Sequence, residues 1–142
     1  MRVKFTDDLL TGHEQIDNQH KEWFARLDNF WRAAREGKSR EEVTRAVTFL
    51  WEYVKTHFAD EEAIQKEIDY PDYEKHKLQH REFETQIDSL VNRLQELGAD
   101  HSIAVETLNL MLEWVVKHIK YSDKILVAYI RSTSKPTPVS TL

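Results

Sequence analysis

Apolar side chains recur at spacings of three and four residues along most of the chain, which is the pattern of amphipathic helices. Four such stripes run from Ile16 to Ala34, from Val43 to Ile64, from Tyr73 to Leu97 and from Ala104 to Leu126. They predict four helices, an irregular N-terminal arm and a flexible C-terminal tail. The helices are expected at about 18–36, 40–67, 71–97 and 102–131, the arm at 1–17 and the tail at 132–142.

Short local signals mark the ends of these helices. Gly37 and Gly98 each follow a stripe, where a left-handed C′ residue commonly ends a helix. Ser39 and Glu42 have the spacing of a capping box, and Pro71 suits the first position of the third helix. Because the connections are short, neighbouring helices are expected to be antiparallel. The prediction is an all-α, up-down-up-down four-helix bundle, formed by a single domain over residues 1–131.

Composition narrows the classes of protein that fit this fold. A chain of 142 residues with a net charge of −5 is one ordinary domain, and it lacks the basic stripe of a nucleic-acid binder. It contains no apolar run of about 20 residues that could cross a bilayer, and no exported leader is recognisable, so we expect a cytoplasmic protein. Cysteine is absent, so any metal must bind histidine and carboxylate.

Polar side chains interrupt the apolar stripes of every helix. Burying an imidazole or a carboxylate in such a stripe is unfavourable without a partner. A single histidine would be explained most simply as a hydrogen-bonded core residue. Histidines on all four stripes favour a shared partner, and a metal centre is the simplest one. The stripe residues concerned are His20, His57, Glu61, His76, His80 and His118.

The spacing of these residues supports that interpretation. His57 and Glu61 lie one helical turn apart, and so do His76 and His80. His118 and Asp123 are five residues apart, which on an ideal helix separates their directions by roughly 140°. We therefore predict a local distortion of π type that turns Asp123 inward. The antiparallel register brings all these groups to one end of the bundle.

Five segments of the chain carry a resemblance to the bacterial hemerythrins, and together they cover about residues 5–130. The segments are Gly12-His-Glu-Gln-Ile-Asp-Asn-Gln-His-Lys-Glu-Trp-Phe24, His57-Phe-Ala-Asp-Glu-Glu62, Tyr70-Pro71, His76-Lys-Leu-Gln-His-Arg-Glu-Phe83 and Trp114 to Asp123. The match departs from the family at two positions that are not ligands. Phe5 stands where tryptophan is frequent, and Gln65 stands where methionine is common.

The resemblance implies a non-haem di-iron centre. His76, His80 and His118 would bind one iron, His20 and His57 the other, and Glu61 and Asp123 would bridge both. An oxo or hydroxo bridge would complete the centre, and the iron with two histidines would keep one position for O2, held as hydroperoxide. Candidates for the apolar O2 pocket are Trp23, Phe24, Phe58, Phe83, Val115 and Ile119.

Several polar residues near the motifs are not expected to take part in the centre. His13 and His101 are predicted at the surface or at helix caps, and Asp60 and Glu62 are predicted to point away as solvated charges. Tyr121 either hydrogen-bonds next to Asp123 or packs at the helix surface.

Three functions fit these features. The first is reversible O2 binding, for storage or for delivery to oxygen-requiring enzymes, by a monomer that is not itself an enzyme. The second is a di-iron enzyme such as a peroxidase, an oxygenase or a nitric-oxide-handling protein. Oxygenation is disfavoured because the chain lacks paired Glu-x-x-His motifs. The third is a sensor of O2 or iron, which would need a separate partner because no output domain is recognisable. We favour the first.

Overall fold

The computed structural model describes residues 3–97 and 101–133 of the chain. This part of the protein is helical and contains no strand. A π-helical segment, Ile119–Asp123, joins the last two α-helices, so the three together form the fourth rod of the bundle. The α-helices are α1 (Glu14–Arg35), α2 (Arg40–Glu67), α3 (Tyr73–Leu97), α4 (His101–His118) and α5 (Lys124–Thr133).

The rods form the predicted antiparallel four-helix bundle. Each of α1 to α3 packs against the next helix, and α1 also packs against α4, which closes the bundle around one interior. The apolar stripes meet there, and their largest members are fully buried, among them Trp23, Leu50, Phe83 and Met111. Burial of such side chains stabilises the fold by roughly 1.5–3 kcal/mol each. No helix among the described residues has both the length and the apolar character needed to span a membrane.

The first helix begins four residues earlier than predicted. His13 caps α1, because its Nδ1 accepts a hydrogen bond from the Ile16 N–H. Asp17, expected in the irregular arm, is a buried helical residue whose carboxylate accepts hydrogen bonds from the N–H groups of Thr11 and Gly12. The arm is therefore fastened to the first turn of α1, and it contains a 3-10 turn at Asp7–Leu9.

The connections between helices agree with the sequence signals in part. The Ser39 side chain accepts a hydrogen bond from the Glu42 N–H, and Gly37 has a φ of 68°, as a C′ glycine requires. The prediction for Pro71 is wrong, because His76 N–H donates to the Asp72 carbonyl and α3 begins after that residue. The predicted C′ residue Gly98 lies outside the described residues.

The fourth rod contains the predicted distortion. Residues Ile119–Asp123 form a π-helix, and Asp123 is fully buried. The extra residue of the wider turn brings Asp123 to the same face as His118. The helix continues through Thr133, two residues beyond the predicted end, and residues 134–142 of the predicted tail lie outside the described part.

Candidate metal centre

Seven polar side chains from all four rods meet in the interior at one end of the bundle. Each of them is at most 6% exposed. They come from α1, α2, α3, α4 and the π segment, and they are His20, His57, Glu61, His76, His80, His118 and Asp123. Every residue that the sequence marked as a candidate ligand is therefore in this cluster.

The ligand atoms of the cluster form two groups, each within 4.8 Å, and Glu61 belongs to both. The first group contains Glu61 with His76, His80 and His118, and the second contains Glu61 with His20, His57 and Asp123. Glu61 directs one oxygen to each group. Its Oε1 lies 2.7 Å from His76 Nε2, and its Oε2 lies 3.3 Å from His57 Nε2.

Asp123 spans the two groups in the same way. Its Oδ2 lies 3.0 Å from His20 Nε2, whereas its Oδ1 lies 3.2 Å from His76 Nε2 and 3.3 Å from His118 Nε2. Both carboxylates therefore present one oxygen to a set of three histidines and the other oxygen to a set of two. Two cations side by side could share them.

The inward-facing atoms need a partner that the side chains do not supply. His76 Nε2 and His80 Nε2 lie 2.8 and 3.1 Å from His118 Nε2, whose single lone pair can accept a hydrogen bond from only one of them. Both oxygens of Glu61 and of Asp123 are buried, and no donor among the described residues is aligned on them. A cation among these nitrogens and oxygens would satisfy all of them, so the donor set fits a metal centre of histidine and carboxylate.

The electrostatics of the cluster agree with that conclusion. Burial lowers the pKa of His76, but the carboxylates of Asp123 and Glu61 outweigh burial and raise it to about 10. Burial raises the pKa of Asp123, yet the imidazoles around it bring the value well below the ordinary one. Burial holds the pKa of His118 below its ordinary value. Ionised carboxylates are thus stabilised in the interior, where they attract positive charge.

Two of the clustered histidines are oriented from behind by polar residues, His57 by Gln19 and His80 by Glu62. His57 Nδ1 lies 2.6 Å from Gln19 Oε1, and Gln19 Nε2 donates to Asp60 at 2.9 Å. With Nδ1–H donating outward, His57 Nε2 keeps a free lone pair that faces the cluster. Asp60, predicted to be a solvated charge, is half-buried and fixes the amide of Gln19.

The prediction for Glu62 is also wrong. This carboxylate is 6% exposed and lies 2.8 Å from His80 Nδ1, while its other oxygen pairs with Arg81 at 2.6 Å. Glu62 is adjacent to Glu61, so it leaves the helix about 100° away. That direction leads to the seam between α2 and α3, where His80 needs an acceptor.

The six candidates for an apolar pocket are all buried, but they differ in their relation to the cluster. Phe58 stacks on His80 at 3.9 Å, and Trp23 meets His57 at 6.0 Å between ring centroids. Val115 and Ile119 flank His118 along the fourth rod.

The other two candidates have different neighbours. Phe24 packs edge-on against Phe5 at 5.6 Å, towards the N-terminal arm. Phe83 stacks on Trp114 at 4.0 Å, and Trp114 in turn stacks on His118 at 4.2 Å. The sequence analysis did not name Trp114 as a pocket candidate, although its position one turn before His118 would have indicated this contact.

The remaining histidines and Tyr121 lie outside the cluster. His13 caps α1, and His101 is an exposed first residue of α4, as predicted. Tyr121 is 70% exposed on the π segment. The position of Tyr121 fits the surface alternative.

Comparisons with known proteins point to one family. The relatives include a bacteriohemerythrin of Pseudomonas paraeruginosa, 30% identical over 125 residues that cover 88% of this chain and 79% of the relative. A bacteriohemerythrin of Stenotrophomonas maltophilia is 28% identical, with coverages of 89% and 80%, and one of Campylobacter jejuni is 27% identical, with coverages of 87% and 92%. The profile of the hemerythrin HHE cation binding domain matches residues 11–130. The chain therefore belongs to the hemerythrin family.

Proposed function

We propose that this protein binds O2 reversibly at a non-haem di-iron centre. The observation that carries the proposal is the unequal division of ligand atoms around two shared carboxylates. Three histidines lie on one side of Glu61 and Asp123, and two histidines lie on the other. One metal would therefore have one protein donor fewer than the other, so it would have room for one small exogenous ligand.

In this proposal His76, His80 and His118 hold one iron ion, His20 and His57 hold the other, and both carboxylates are shared. Nitrogen and oxygen donors without sulfur suit iron, although other divalent metals accept them as well. When it is bound, the iron pair would supply the redox chemistry that makes O2 binding reversible. The protein's own part is to hold the donors in place and to exclude water.

The surroundings of the cluster support binding rather than turnover. The aromatic rings of Phe58, Trp23 and Trp114 pack directly against ligand imidazoles. Such a lining offers few groups that could transfer protons to a bound ligand, and proton transfer is what a peroxidase requires. We propose O2 storage, or delivery to oxygen-requiring enzymes, by a cytoplasmic monomer.

Anaerobic reduction followed by stoichiometric addition of O2 tests this function. The protein loaded with Fe(II) should contain two iron ions per chain. Its visible absorption spectrum should change when O2 is added and should return to that of the reduced protein when O2 is removed. The variant His118→Ala, which deletes one of the three histidines, should fail to load two ions. Irreversible oxidation, or steady consumption of peroxide, would point instead to a di-iron enzyme.

A further inference from the structure

Gln65 is a fully buried amide with no hydrogen-bond partner in the part of the chain that the structure describes. Its side chain is 0% exposed, and neither Oε1 nor Nε2 has a hydrogen bond among the described residues. Leaving both ends of a buried carboxamide unpaired is strongly unfavourable. Buried polar groups of this kind are normally satisfied by water or by a ligand.

The register of α2 places Gln65 on the helix face that carries two members of the cluster. Gln65 lies one turn beyond Glu61 and two turns beyond His57, on the same face of the helix. Its position is fixed by the end of the helix, because its backbone carbonyl accepts a hydrogen bond from the Tyr70 N–H at 2.9 Å.

Among the described residues, no side chain in the layer of the bundle beyond the centre forms a hydrogen bond with the amide. Ile16 lies about one turn before His20, and Leu126 and Val127 lie about one turn after Asp123. Together with Tyr70, these residues form a buried apolar cluster at this end of the bundle. The polar groups nearest in register are the central carboxylates, and the oxygens of both Glu61 and Asp123 are themselves without a hydrogen bond.

We propose that the Gln65 carboxamide donates a hydrogen bond to the small exogenous ligand that the centre takes up. This inference rests on the proposed function. The ligand class is a diatomic molecule or a small anion with an acceptor atom at its outer end, for which azide is a convenient probe.

The test compares Gln65→Met with the wild type in the iron-loaded, oxidised protein. This substitution keeps the length of the side chain and removes both polar atoms. The matched control is Leu50→Met, a volume-conserving change at a fully buried residue of the same helix, about four turns from Gln65. Loss of one hydrogen bond should raise the Kd for azide by about 5- to 10-fold in Gln65→Met. The Kd of Leu50→Met should match that of the wild type.

The metal-free proteins provide a second readout. If the amide has no partner within the protein, Gln65→Met should raise the Tm of the metal-free protein by roughly 2–8 °C, or at least leave it unchanged. An unchanged Kd for azide, whatever the change in Tm, would overturn the inference, because the amide would then serve only a buried water. A lower Tm of the metal-free variant would also overturn it, by revealing a partner within the protein. Failure of the wild type itself to load two irons or to bind azide would instead refute the proposed function.

Discussion

Replacing Glu62 by glutamine is expected to weaken metal binding at the three-histidine side of the centre. Glu62 does not face the centre, but it lies 2.8 Å from His80 Nδ1 and carries a negative charge next to that nitrogen. The carboxylate selects the tautomer of His80 in which Nε2 is free to bind a metal. Glutamine retains the shape and one acceptor oxygen but loses the charge, so Glu62→Gln isolates the charge from the packing.

The size of the effect follows from this one contact. A hydrogen bond to a charged group contributes about 1.5–3 kcal/mol, and a neutral one contributes about 0.5–1.5 kcal/mol. The difference, about 1–1.5 kcal/mol, corresponds to a loss of metal affinity of roughly 5- to 10-fold. Substitution of groups behind metal ligands typically costs about 10- to 100-fold, so a loss near tenfold is expected.

Anaerobic competition between the protein and an Fe(II) chelator measures this affinity. Glu84→Gln is the matched control, because both glutamates pair with the same arginine. Arg81 Nη1 lies 2.9 Å from Glu84, and Arg81 Nη2 lies 2.6 Å from Glu62. The control changes the same arginine without removing the contact to His80. Equal affinities of Glu62→Gln and the wild type, or an equal loss in Glu84→Gln, would refute the reasoning.

Three further predictions follow from packing, hydrogen bonding and protonation. Phe58→Ala should lower the free energy of unfolding by about 3–5 kcal/mol in urea titrations of the metal-free protein. Phe49→Ala, at a half-exposed residue of the same helix, should lower it by no more than about 1 kcal/mol. Equal losses in the two variants would contradict the assigned core. Asp17→Ala should release the N-terminal arm, because the buried carboxylate accepts hydrogen bonds from two N–H groups of the arm. Limited proteolysis should then cleave the chain before α1 sooner than in the wild type. Unchanged cleavage would show that other contacts hold the arm. Burial lowers the pKa of His76, but the central carboxylates raise it to about 10, so metal loading at pH 8 should release a proton from this imidazole; calorimetric heats that do not vary with the ionisation enthalpy of the buffer would contradict this.

The bundle and the membership of the buried cluster could be predicted from the sequence because both follow from helical periodicity. The position of His57, Glu61 and His118 on apolar stripes leaves them no alternative to the interior. The five-residue spacing to Asp123 even indicated where the helix had to widen, and the structure contains a π-helix there.

Features that depend on contacts between helices or on turn geometry could not be predicted from helical periodicity. Glu62 looked like a solvated charge because periodicity within α2 says nothing about the imidazole of His80 across the seam. The start of α3 was misplaced because it depends on a turn in which Asp69 has a φ of 52° and Tyr70 N–H bonds back to Gln65. Proline statistics for helix starts do not include that local geometry.

The π segment also divides the last rod into two parts, which we expect to unfold separately. Beyond Asp123, α5 has ten residues, fewer than the roughly 12–15 that an isolated helix needs to persist in water. Its attachment depends on the packing of Leu126 and Val127 and on the place of Asp123 in the cluster. Removing the metal should therefore let the amide hydrogens of α5 exchange with solvent well before those of α4. Metal binding at the centre would then determine whether the C-terminal end of the bundle is folded.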